Sequence, residues 1–154
     1  IFNAQPEIIL ADKHPLYFAR HYAEELADRF SVPIRYFQHH KAHFAAVLGE
    51  NDLLNKKEPV LGFIWDGTGY GDDGNIWGGE FFEYRDNRVS RRGHYQYFDH
   101  ILGDKMAKEP RVSALALCQS IPDAEKLLKS KFTVVEWRIY KKILTNKNKL
   151  KTSS

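Results

Sequence analysis

The chain has 154 residues, 43% hydrophobic and 14% aromatic, with 23 Lys and Arg against 20 Asp and Glu for a formal net charge of +3. That is enough apolar material for one packed domain or part of a larger one, and it excludes global disorder. No apolar run reaches the roughly 20 residues that cross a bilayer, and a lone cysteine, Cys118, excludes an internal disulfide and suits a reducing cytoplasm.

The opening IFNAQPEIILADKHP lacks the basic start, apolar centre and small-residue cleavage site of a signal peptide. Its first residue, Ile, is expected of a piece of a longer chain. After Pro6, the β-branched run EIILA predicts a strand ending near Asp12. Leu16, Ala19, Ala23, Leu26 and Phe30 recur at three- and four-residue steps and predict an amphipathic helix over 16–30. Pro33 breaks it, and IRYF predicts a second strand. QHHKAHFAAV then opens a helix running to about Leu48, with Gly49 as its terminator. NDLLNKKEP is polar enough for a connection.

VLGFIW (60–65) is a continuous apolar run, expected of a strand buried on both faces and ending at Asp66 in a glycine-dense loop. IWGGEFFEY and RVSRRGHYQYF, separated by Asp86 and Asn87, predict a β-hairpin. A loop around LGDKMAKEP leads to an apolar helix over 111–121. Thr133 and Glu136 have capping-box spacing ahead of a last helix carrying Val134, Trp137 and Leu144. TNKNKLKTSS reads as a loose end. The order strand, helix, strand, helix, strand, hairpin, helices indicates α/β with a mixed sheet, whose ligand sites lie at strand ends.

Charge is unevenly spread. From Lys126 to Ser154 nine Lys and Arg meet one acid, Glu136, giving +8, so the other 14 basic and 19 acidic residues sum to −5. With no bZIP, zinc-finger or RNP pattern beside it, the basic stretch reads as a solvated helix face, with no nucleic acid as partner.

His39 and His43 stand four residues apart, so on a helix they share one face and can converge on a metal; His40, turned by about 100°, points elsewhere. Asp66, at the end of the buried strand, is the candidate carboxylate to complete the set. A histidine pair at this spacing also occurs as plain helix surface, and the zinc-protease pattern H-E-x-x-H is absent. Gly67, Thr68, Gly69 and the glycines after them form a turn whose N–H groups could approach an anion, or a tight hairpin. It matches neither the Walker nor the Rossmann pattern. Asp72 and Asp73 would repel phosphate unless a cation offsets them; alternatively they hold Mg²⁺. Cys118, inside an apolar helix, reads as core rather than nucleophile, and no side chain stands out as a general base.

DKHPLYFARHYA, QHHKAH, WDGTGYGDDGNIWGGEF, GDKMAKEPRVSALAL and EWRIYKKIL, in this order, resemble the HypF family of carbamoyltransferases. The likeness lies in the domain related to tRNA threonylcarbamoyladenosine transferases and spans nearly the whole chain. The resemblance implies an actin-like, sugar-kinase-like ATPase fold with ribonuclease-H-like lobes, of which only part is present. Residues 1–58 would end the first lobe and residues 59–154 begin the second.

The family is cytoplasmic and matures nickel–iron hydrogenases. It makes carbamoyl adenylate from carbamoyl phosphate and ATP, then passes the carbamoyl group to a C-terminal cysteine of HypE, where it becomes a cyanide ligand. By position, His39, His43 and Asp66 match its metal ligands, with iron or zinc implied, and Gly67, Thr68 and Gly69 match its phosphate-contacting turn. Where the family commonly reads HHHAH, Lys41 stands in the middle here, and ILGD replaces a usual P-G-G-D. The rivals are O-carbamoyl transfer to a small-molecule hydroxyl, and an inactive fragment serving as an interaction surface. Apolar faces that would meet the other lobe make self-association an expectation.

Overall fold

A computed structural model describes residues 5–146 and 149–154. Two strands, β1 (Ile9–Asp12) and β2 (Ile34–Phe37), pair in parallel with Asp12 opposite Phe37, joined by helix α1 (Phe18–Phe30). Parallel pairing puts both C-terminal ends on one edge, so Asp12 and the residues just after Phe37 emerge side by side. The helix starts at Phe18, two residues later than expected; of the predicted apolar stripe only Ala23 is fully buried, while Leu16, Ala19 and Phe30 are exposed, and Ala27, outside the stripe, is the helix's other buried residue.

Helix α2 (His39–Glu50) begins where Gln38 caps it, its side chain accepting from the Lys41 N–H. The helix runs through Gly49 and ends one residue beyond it, so that glycine is not the terminator. His40, Phe44 and Leu48 form its buried row, and the next row holds His39 and His43. One residue of offset thus separates core from site.

The second sheet is mixed. β3 (Val60–Tyr70) and β4 (Ile76–Arg85) are antiparallel, and β5 (Arg88–His94) pairs with the far half of β4. Asp86 and Asn87 turn the second hairpin with φ of 51° and 57°, the left-handed pair a tight β-turn needs. β7 (Lys151–Thr152) joins β4 in parallel and β6 (Phe98–Asp99) in antiparallel fashion. The expected loose end is therefore a strand, with Thr152 and Ser153 buried; Lys147 and Asn148 lie outside the described residues.

β3 departs from expectation twice. It does not stop at Asp66 but continues to Tyr70, with a register shift between Trp65 and Gly69. It is also not buried on both faces: Leu61, Phe63 and Trp65 are 63%, 63% and 71% exposed. Its other face meets α2, and an antiparallel strand packed on one side alternates in this way. At Gly62, a Cβ would lie 2.4 Å from the Phe44 ring, so the missing side chain is what lets α2 sit so close.

Two cores result. Phe44, Leu48, Trp77, Phe82 and Tyr84 join α2 to the sheet. Burying Phe82 completely is worth about 1.5–3 kcal/mol. Ile101, Met106, Val112, Leu115, Ala116, Tyr140 and Leu144 unite the helices that follow. These are α3 (Asp104–Lys108), in place of the expected loop, α4 (Pro110–Leu117), α5 (Ala124–Lys129) and α6 (Val134–Leu144). Cys118 sits half-buried in a 3₁₀ turn after α4. The capping box of Thr133 and Glu136 is formed. Arg111 donates to both Glu109 and Glu136, and with Thr133 it holds the Glu136 carboxyl down at about 2.

Acids partly neutralise the basic stretch. Lys149 and Lys151 both donate to Asp99, and Lys141 pairs with Glu125. Among the described residues no helix is long and apolar enough to cross a membrane.

Candidate metal centre

The shift in β3 creates the site. Trp65 pairs with Gly79 and Gly69 with Trp77, so Asp66, Gly67 and Thr68 face Gly78 alone. Extra residues in one strand bend it and re-aim a side chain, and here Asp66 turns towards α2. His39 Nε2 lies 3.1 Å from Asp66 Oδ2 and 3.0 Å from His43 Nε2, while His43 Nε2 is 3.9 Å from Asp66 Oδ2. Among the described residues these three side chains form the one group of His, Cys, Asp or Glu with ligand atoms close enough for a metal, all within 4.8 Å.

Protons decide what this cluster can hold. His39 Nδ1 lies 2.9 Å from Asp12 Oδ2; with the proton of the neutral ring donated there, Nε2 is bare and faces the site. His43 Nε2 can supply one proton to it. Asp66 Oδ2 then has none: it is buried and lacks a hydrogen-bond partner, the close His39 nitrogen being out of line. Buried polar atoms are normally paired, so this one is open to a donor or a cation. A tetrahedral metal with bonds of about 2.0–2.1 Å spaces its ligands about 3.3 Å apart, within the range of separations here. The two carboxylates, Asp12 and Asp66, also match the charge of a divalent ion. The residues fit the group.

Asp12 was not singled out from sequence. It too is an acid at the end of an apolar strand, the same signal that marked Asp66. Asp12 Oδ1 also accepts from the His14 N–H at 2.7 Å, which fixes the carboxylate's orientation.

His40 is wholly buried, and burial pushes its imidazole below the usual value. On the helix it belongs to the buried row rather than to the one that carries His39 and His43, and it was expected to point elsewhere. Its Nε2 is nevertheless 3.7 Å from Asp66 Oδ2, so it touches the site from behind.

Gly67 and Thr68 line a cavity of about 380 Å³ beside Asp66, with Gly78, Ser153 and Ser154 on the opposite wall. The Gly67 N–H is engaged by Asp66 Oδ1 at 2.6 Å. Thr68 and Gly69 also border a second cavity of about 310 Å³ that includes Tyr17 and Asn75. Gly69 packs on His40, with a Cβ there falling 2.3 Å from His40 Cε1. His100, also missed from sequence, borders both cavities and has a buried Nε2 without a partner. Glu80, wholly buried, accepts from Ser153 Oγ and Arg91 Nε at 2.5 Å each and so anchors the cavity wall.

The two acids at the hairpin tip are committed elsewhere. Asp72 accepts from Lys13 and Lys41 at 2.6 Å each. Asp73 accepts from Tyr97 at 2.7 Å, Trp77 at 2.9 Å, and the Asn75 N–H at 3.1 Å, with Arg91 at 3.2 Å. Partial burial would raise the Asp73 carboxyl, but the bonds from Tyr97, Asn75 and Trp77 outweigh it and hold it far below the usual carboxylate range. The cations expected to offset these acids are thus protein side chains.

Comparison with known proteins identifies the family. Residues 62–154 match the family described as carbamoyltransferase, Kae1-like domain, second subdomain, and residues 1–50 match the HypF Kae1-like domain. Carbamoyltransferase HypF of Synechocystis sp. is 46% identical over 118 residues, covering 76% of this chain and 14% of that protein. A probable carbamoyltransferase HypF of Methanocaldococcus jannaschii is 38% identical over 104 residues, 68% of this chain and 13% of the relative. A crystal structure of full-length HypF in its phosphate- and nucleotide-bound form superposes with a TM-score of 0.77 at 31% identity, over 97% of this chain and 19% of that one.

The fold is therefore part of a Kae1-like domain, an α/β arrangement of the actin-like ATPase class. The chain belongs to the HypF family of carbamoyltransferases. It spans under a fifth of the length of these three relatives.

Proposed function

We propose that this chain supplies part of a carbamoyl-transfer site. The parent activity would make carbamoyl adenylate from carbamoyl phosphate and ATP and pass the carbamoyl group to the C-terminal cysteine of HypE, in hydrogenase maturation in the cytoplasm. The single observation that carries the reading is the cluster of His39, His43 and Asp66, with one buried carboxylate oxygen left unmatched, beside a glycine-walled cavity. Two imidazoles and a carboxylate suit iron or zinc better than Mg²⁺, which prefers an all-oxygen shell. When bound, such a metal supplies Lewis-acid polarisation of the carbamoyl or phosphoryl oxygen.

The chain's own residues do the rest. His39 is oriented by Asp12, so its Nε2 lone pair faces the cluster. Asp66, on the bulge, links the cluster to the cavity, where Gly67 and Thr68 would hold phosphate as AMP leaves, with Gly69 bordering the second cavity beyond them. For the Gly67 N–H to reach a phosphate it must release Asp66 Oδ1. The attacking thiolate comes from the acceptor protein; no nucleophile on this chain is required. Residues 1–58 would close the first lobe and 59–154 open the second, so the cluster draws ligands from both.

The test uses the full-length protein that contains this region. His43→Ala should lower bound iron or zinc and slow carbamoyl transfer to HypE together. Unchanged metal content and rate would rule out the assignment.

A further inference from the structure

Behind Asp66, Gln38 and His40 form a chain of hydrogen bonds that fixes where the His40 proton lies. The Lys41 backbone N–H donates to Gln38 Oε1 at 2.9 Å, which identifies the oxygen end of that carboxamide. Its amide nitrogen then has two protons to give. One goes to the Tyr70 carbonyl at 3.1 Å and the other to His40 Nδ1 at 3.0 Å. Nδ1 must accept, so the ring is neutral and its proton sits on Nε2.

That Nε2–H lies 3.7 Å from Asp66 Oδ2. Both atoms are buried, and neither has a hydrogen-bond partner. A donor and an acceptor, each otherwise orphaned, thus face each other across a gap that a shift of a few tenths of an ångström closes. The ring has little freedom to do anything else. It is wholly buried, Trp77 lies 6.1 Å away centroid to centroid, and Gly69 is shaped around its Cε1.

We infer that His40 is a positioning residue: its Nε2–H donates to Asp66 Oδ2 from behind and holds that carboxylate facing His39 and His43, with Gln38 setting the tautomer. A carboxylate oxygen has two lone pairs, so one can take His40 while the other is presented to the cluster. Metal ligands are commonly oriented by such an outer hydrogen bond. The consequence for metal affinity rests on the metal reading proposed above; the tautomer and the His40–Asp66 contact do not.

Two measurements on the full chain separate these claims. Nitrogen-15 NMR of labelled histidine should show His40 neutral, protonated at Nε2 and bare at Nδ1. The opposite tautomer or a doubly protonated ring would overturn the inference. In Co²⁺ titrations followed by visible absorption, His40→Leu and His40→Asn should bind about 10–100-fold more weakly. His40→Gln, whose carboxamide N–H reaches where Nε2 sits, should recover most of that loss. If the leucine variant folds and binds Co²⁺ as the wild type does, or if glutamine is no better than asparagine, His40 is only a core residue. Should His40→Leu not fold, the asparagine and glutamine pair decides. Should the wild type itself take no Co²⁺, the metal reading fails, and the tautomer still decides whether His40 addresses Asp66.

Discussion

At the tip of the β3–β4 hairpin, Asp73 collects bonds from Tyr97, Trp77, Asn75 and Arg91, and Asp72 is clamped between Lys13 and Lys41. A few residues earlier on the same hairpin, Asp66 keeps one buried oxygen with no partner. The three carboxylates have the same chemistry and differ only in what surrounds them. Saturated acids tie structure together, whereas an acid left short of donors, beside two histidine nitrogens, is open to a cation. Counting acids in a motif does not reveal which is which; counting their partners does.

The sharpest way to break that contrast is Asp66→Ala. It removes one of the three proposed ligand groups, so binding of Zn²⁺ or Co²⁺ should fall by more than the about 100-fold that loss of an outer hydrogen bond can cost. The melting temperature of the metal-free chain should change little, because losing a buried carboxylate short of partners is offset by leaving the His40 Nε2–H without an acceptor. A chain that unfolds on this change while still taking metal would place Asp66 among the structural acids. Asp12→Asn comes next. Its amide can present an N–H to His39 Nδ1 and disturb the tautomer that bares Nε2, so metal affinity should drop about 10–100-fold with the ligands intact. Equal affinity in a metal titration would mean that His39 needs no orienting partner.

Asp73→Asn should do the reverse. Metal binding stays within about twofold, and denaturant unfolding loses about 1–2 kcal/mol, a value discounted for the partial exposure of the group. The pH dependence has a definite sign. The folded carboxyl is depressed below its ordinary 3.8, so its contribution is complete above that pH and is lost as pH falls through the lower, folded value. The gap between wild type and variant should therefore be full above the ordinary carboxylate value, narrow as pH falls below it, and close only as pH passes through the depressed, folded value. A gap that stays constant into acid would show that Asp73 acts through shape rather than charge.

Much of this arrangement could be read from sequence, and the rest fails for identifiable reasons. The hairpin at Asp86–Asn87 and the capping box at Thr133–Glu136 are local devices, and both form. The i, i+4 pair of His39 and His43 follows from helical period, and the structure brings Asp66 to it. The glycine run misled about where the strand ends. Gly69 is glycine because His40 presses against it, not because the chain turns there, and a bulge rather than a terminus aims Asp66. Asp12 reaches His39 only through the parallel register of β1 and β2, a long-range fact that no local window contains. β7 is a strand only because β4 and β6 hold it, and so small an element carries no periodicity to detect.

Lys41 gives the smallest effect and the finest test of the comparison. It stands between His40 and His43 in sequence, where a motif reader would place it in the site, yet its ammonium points to Asp72 at the hairpin tip. Asp72 keeps Lys13 when Lys41 is removed. All three groups are about a third to two-fifths exposed, at 34%, 34% and 43% for Lys41, Asp72 and Lys13, so solvent screens each pair. Lys41→Ala should cost about 0.2–1 kcal/mol in unfolding free energy, shrinking as salt is added. It should leave metal affinity nearly unchanged, because the Lys41 contact that matters near the site is its backbone N–H to Gln38, which alanine retains. If metal affinity instead changed tenfold or more, the tip and the bulge would be one electrostatic unit, and the division drawn between saturated and open acids would have to give way to a shared field.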